Sequence, residues 1–103
     1  MTWHRAAPLD ELRAARPWLP LTIEGVDLVV AVVDGVPYAV EDRCAHAGCA
    51  FSEDADLVGD DIVCNCHGSE FDLRTGALKR GPAERPVRSI PVRIEGEHLE
   101  VAL

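Results

Sequence analysis

Apolar and polar positions alternate in short stretches over most of this chain, the period of half-buried strands rather than of helices. Leu19, Leu21 and Ile23 alternate with Trp18, Pro20 and Thr22. Ile90, Val92 and Ile94 do the same, and Leu99, Val101 and Leu103 carry the pattern to the end; all six are expected to point inward. Leu28 to Val33 is an unbroken apolar run of strand length, and Val36 to Glu41 follows it across Asp34-Gly35. That dipeptide between two such runs predicts a tight hairpin, because the turn demands positive φ. Gly59-Asp60-Asp61 predicts a second hairpin between residues 56–58 and 62–64. Residues 2–7 and Phe71 to Leu73 read as further strands, and Gly81 to Pro86 reads as a loop by composition. Only Pro8 to Ala15, with Leu9 and Leu12 three apart and Asp10 near the start, predicts a helical turn or two. Short strands separated by glycine-containing turns define an all-β chain, an antiparallel sandwich or small barrel.

At 103 residues the chain is long enough for one modest core and too short for two domains. The strands fall at both ends and the sulfur chemistry in the middle. The expected arrangement is a base formed by 1–42 and 87–103, with a small metal-binding subdomain, 43–86, inserted between them. Net charge is −8, and the ten Lys and Arg are never in a block. That argues against nucleic acid, whose binding rests on basic patches. It favours docking to a basic partner surface, if the acidic run from Glu53 to Asp61 is more than a solvated face. No apolar leader comes after the first residues and no run of 18 or more apolar residues occurs, so a cytoplasmic chain without a membrane span is expected. Cysteines in such a chain are more often ligands than disulfides.

All four cysteines and two of the four histidines lie in two short loops. The first reads Cys44-Ala-His46-Ala-Gly48-Cys49, the second Cys64-Asn-Cys66-His67-Gly68-Ser69. Each offers a thiolate and an imidazole, Cys44-x-His46 and Cys64-x-x-His67. A tetrahedral zinc site or a disulfide scaffold is the plain alternative. Structural zinc sites usually draw a Cys pair from one knuckle and a His pair from another. Here each loop holds one of each, which suits a two-iron cluster better.

On these residues the chain resembles the Rieske 2Fe-2S proteins, whose motif is C-x-H…C-x-x-H. The segment from Phe71 to Gly76 resembles the stretch after the second loop in Rieske-type ferredoxins, and Gly81-Pro82 to Pro86 resembles their proline loop over the cluster. The resemblance implies three antiparallel sheets with the cluster at an exposed tip. Cys44 and Cys64 would hold the inner iron, and His46 and His67 the outer, solvent-facing one. With two thiolates the oxidised cluster is neutral, so it accepts an electron more readily than a four-thiolate cluster, at roughly −150 to +300 mV against about −400 mV. Cys49 and Cys66 stand where Rieske proteins of respiratory quinol-oxidising complexes carry a disulfide between the loops, which implies the same bond here. Ser69 occupies the place of a hydroxyl that hydrogen-bonds the cluster in high-potential members, and the companion Tyr is replaced by Phe71. Gly48 and Gly68 would serve the tight turns, and Pro82 the covering loop.

The implied function is one-electron transfer by a monomeric Rieske ferredoxin, from a flavin reductase to a terminal oxygenase, as in the ferredoxin component of a dioxygenase. Such a chain is an electron carrier rather than an enzyme. The alternatives are a small subunit of assimilatory nitrite reductase or of another multi-subunit oxidoreductase. A quinol-oxidising subunit would need a membrane anchor, and an arsenite-oxidase-type subunit an export signal. His4 and His98 are expected on the surface of strands. Trp3, Trp18, Tyr38 and Phe51 are expected in packing.

Overall fold

The computed structural model describes residues 1–44 and 48–103. Eleven strands and two short helices run in the order β1 (Trp3–Pro8), α1 (Leu9–Ala14), β2 (Leu19–Ile23), β3 (Val26–Val33), β4 (Val36–Glu41), α2 (Phe51–Asp54), β5 (Ala55–Val58), β6 (Asp61–Cys64), β7 (Glu70–Asp72), β8 (Leu78–Arg80), β9 (Ser89–Ile90), β10 (Val92–Glu95) and β11 (His98–Ala102) among the described residues. They form three antiparallel sheets, ordered β1-β11-β10, β2-β3-β4-β9 and β5-β6-β7-β8.

The sheet containing β3 is the middle layer. Leu28 and Val30 point to one core, with Leu12, Ala39, Ile90, Leu99 and Val101. Val29 and Ala31 point the other way, with Val40, Trp18, Phe51, Ile62 and Phe71. Because both faces of β3 are covered, its sequence is a continuous apolar run and not an alternation. The hairpin at Asp34-Gly35 forms as expected, pairing Val33 with Val36, and both turn residues have positive φ.

Two inward assignments are corrected. Ile90, Val92 and Ile94 do not share one strand: Ile90 pairs with Ala39 in the middle sheet, while Val92 and Ile94 pair with β11 in the first. The chain changes sheets at Pro91, whose carbonyl accepts the Ala102 N–H at 3.0 Å. Beyond it β10 is an edge strand, and Ile94 is 52% exposed. Trp3 is not a core residue either. It stands on the edge strand β1, 38% exposed, with the Arg93 guanidinium 4.2 Å above its ring. Trp18 and Phe51 are buried and Tyr38 packs against the same cluster, as expected.

Two elements have no counterpart in the expected set. Strand β8 closes the third sheet, and α2 leads into it. The turn of α2 is held from outside, because the Ser52 N–H and Oγ both donate to the carboxylate of Asp42, at 2.9 and 2.5 Å. The acidic run is partly neutralised by this sheet: Arg74 pairs with Asp60 and Lys79 with Asp61, each at 2.5 Å. No helix among the described residues is long and apolar enough to cross a membrane.

Candidate metal centre

Two loops meet at one end of the middle layer. The first leaves β4 through Arg43, and the second joins β6 to β7. Their backbones repeat one design. The Cys44 N–H donates to the Cys49 carbonyl at 2.7 Å, and the Gly48 N–H donates back to the Cys44 carbonyl at 2.9 Å. In the second loop the Cys64 N–H donates to the Ser69 carbonyl at 2.8 Å, and the Gly68 N–H to the Cys64 carbonyl at 2.9 Å. Both closures need a left-handed residue at the fourth place after the cysteine. Gly48 and Gly68 supply it, with φ of +70° and +84°.

The loops place the sulfurs in two classes. Cys44 and Cys64 are free thiols, each 1% exposed, in the same core cluster. Cys49 and Cys66 are joined, S–S 2.03 Å and Cα–Cα 6.8 Å, so the disulfide that the resemblance implied is present and ties one loop to the other. Burial pushes the Cys64 thiol up, as does the neighbouring Cys44, while the backbone N–H groups of Cys66 and His67 pull it down. A buried pair of thiols, one of them flanked by such donors, suits a metal, which supplies the positive charge that thiolates need when taken out of water. His67 stands next to Cys66 in the second loop and is exposed. His46 lies outside the described residues.

A third segment covers the loops. Ser69 is buried, and its Oγ accepts the Ala83 N–H at 3.0 Å from the Gly81 to Pro86 loop. Ala83 is buried there, while Pro82 is exposed. The base of that loop is anchored by the Val87 N–H, which donates to the Gly76 carbonyl at 3.0 Å. Phe71, in place of a tyrosine, packs its ring 5.8 Å from that of Phe51 at 56°. It is a packing residue, fully buried.

Sequence reasoning placed Asp54 in the acidic run and missed what it faces. Its carboxylate lies within 4.8 Å of both disulfide sulfurs. No local pattern reveals this, because the contact depends on how α2 packs against the second loop.

Three antiparallel sheets with two buried thiols at the base of paired loops define a protein that carries an iron–sulfur centre. The profile of the Rieske [2Fe-2S] domain matches residues 2–91, and the chain belongs to that family, whose 2Fe-2S cluster is its cofactor. It is 33% identical over 101 residues to the biphenyl dioxygenase ferredoxin subunit of Pseudomonas sp. (strain KKS102), covering 98% of this chain and 92% of that one. Among solved structures it is similar to the ferredoxin of carbazole 1,9a-dioxygenase from Nocardioides aromaticivorans IC177, with a TM-score of 0.87, 29% identity, and coverage of 99% and 98%. A ferredoxin chain solved in complex with its reduced oxygenase, also of carbazole 1,9a-dioxygenase, matches with a TM-score of 0.85 and 28% identity over 97% of this chain and 92% of that one.

Proposed function

We propose that this chain is the ferredoxin component of an oxygenase system, taking single electrons from a flavin reductase and handing them to a terminal oxygenase. Cys44, His46, Cys64 and His67 would hold its cluster with two thiolates and two imidazoles. The observation that carries the reading is the division of the four cysteines. Two are buried and free, and two are bonded across the loops that present them.

When bound, the cluster supplies one-electron acceptance and release. The protein's residues do the rest. Cys44 and Cys64 sit where water is excluded, and the disulfide keeps the two loops in register. His67 lies at the surface, which shortens the path to a docked partner. Ser69 fastens the covering loop to the second cluster loop. In this reading residues 43–86 are the inserted cluster-binding part and 1–42 with 87–103 the base. A cytoplasmic location and a monomeric state go with it, and cell fractionation and light scattering check them.

The test is iron and acid-labile sulfide analysis with electron paramagnetic resonance of the reduced protein. About two irons and two sulfides per chain, with the spectrum of a mixed Cys/His cluster, are expected. Cys64→Ser is expected to abolish cluster retention. Anaerobically prepared protein holding zinc in place of iron would overturn the assignment. The partners are tested separately, by following reduction of an oxygenase of the dioxygenase class in the presence of this chain and a flavin reductase.

A further inference from the structure

The disulfide has a charged neighbour. Cys49 and Cys66 are bonded to each other, so neither offers a thiolate to a metal, yet an Asp54 carboxylate oxygen is within 4.8 Å of both sulfurs. Asp54 closes α2, and its backbone carbonyl accepts the Asn65 N–H at 2.7 Å, directly before Cys66. The main chain thus fixes this residue against the second loop. Among the described residues Asp54 enters no ion pair. Its negative charge therefore faces the bond with no paired cation from those residues to offset it.

We propose that Asp54 guards the Cys49–Cys66 bond electrostatically, slowing its reduction by anionic thiols and keeping the two loops joined in reducing surroundings. Reduction proceeds by exchange. A thiolate attacks one sulfur and forms a mixed disulfide with it, the original bond breaks, and the other sulfur leaves as a thiolate that takes a proton from water. A second reductant thiolate then attacks the reductant's sulfur in the mixed disulfide, the two leave as the oxidised dimer, and the remaining protein cysteine is released as a thiolate that also takes a proton from water. Two thiols have lost two electrons, and the cystine has gained them. In the first step negative charge arrives at one sulfur and develops on the other, both beside the same carboxylate. At about 5 Å near a protein surface, repulsion of this kind changes a rate by roughly threefold to tenfold. The inference rests on the surroundings of the bond and stands whatever the two buried thiols hold.

The experiment follows reduction of the purified protein at low ionic strength. Alkylated Cys49 and Cys66 are quantified by peptide mass mapping, with reduced glutathione as the anionic thiol and cysteamine as one whose ammonium offsets its thiolate. Asp54→Asn is expected to react about threefold to tenfold faster with glutathione, with a smaller gain for cysteamine and the difference lost in high salt. Glu53→Gln changes the net charge equally from the preceding residue and is expected to leave the rate within about twofold. An unchanged rate in Asp54→Asn overturns the proposal. So does a gain of equal size in Glu53→Gln, which would make the effect one of overall charge. So does equal acceleration by both thiols, which would mean a loosened loop.

Discussion

At Gly76 the backbone has no room for a single methyl group. A Cβ there would collide with the Val87 carbonyl oxygen, and φ is +78°. Alanine meets two penalties, a left-handed conformation and a contact that only main-chain movement relieves. Gly76→Ala is expected to cost about 2–4 kcal/mol and to lower Tm by roughly 10–20 °C. Gly59, at φ +64° with nothing within 4 Å of the added atom, provides the comparison. Gly59→Ala meets only the conformational penalty and is expected to cost about 1 kcal/mol. Equal shifts in the two melts would remove the Val87 contact from the account. Ser69 poses a different problem, since its Oγ is the acceptor for a buried N–H. Ser69→Ala leaves the Ala83 N–H without that partner and is expected to destabilise by about 1–3 kcal/mol. A donor near cluster sulfur stabilises the added electron, so the same variant is expected to lower the potential in a voltammogram. Lost stability at an unchanged potential would confine Ser69 to holding the covering loop.

Among the elements, α2 is the one whose stability comes wholly from elsewhere. A helix of four residues cannot stand by propensity. This one is held by Phe51, buried against Phe71, and by the Asp42 carboxylate at Ser52. Asp42→Ala is expected to cost about 1–2 kcal/mol, read from urea midpoints. Arg74→Ala, which breaks an exposed pair with Asp60, is expected to cost less than about 1 kcal/mol, and that loss should vanish in high salt. The contrast explains what the sequence could reveal. Strands bounded by glycine turns were legible because pattern and turn chemistry lie in adjacent residues, as at Val33-Asp34-Gly35-Val36. The support of α2 was not, because Asp42 stands ten residues before Ser52. Leu78-Lys79-Arg80 carries too little alternation to announce β8, and β8 pairs with β7 through a bulge. The break at Pro91 was visible as a proline, but nothing local told that the chain would change sheets there. The two free thiols and the bonded pair were legible from motif and resemblance, whereas Asp54 beside the sulfurs exists only once the elements pack.

For the whole molecule the question is how a three-layer fold protects loops that lie at its end. The middle sheet is covered on both sides, so β3 opens only when both cores come apart. Among the described residues the loops are covered by the Gly81 to Pro86 segment alone, and their coherence rests on backbone closures, on the Ser69 contact and on the disulfide. That bond spans a sequence separation of 17 and limits the freedom of the unfolded chain. Its removal in a Cys49→Ser, Cys66→Ser double variant is expected to cost about 3 kcal/mol globally. The local effect should be larger than the global one at the tip. The Gly48 and Gly68 N–H groups, which close the two loops, should lose hydrogen-exchange protection well beyond the global change. Amides of Val29 and Val30 in β3 should lose only what the lower overall stability dictates. If β3 and the loops lost protection in equal measure, the tip would unfold only with the rest. The disulfide would then be a global staple and not a clamp on the metal centre.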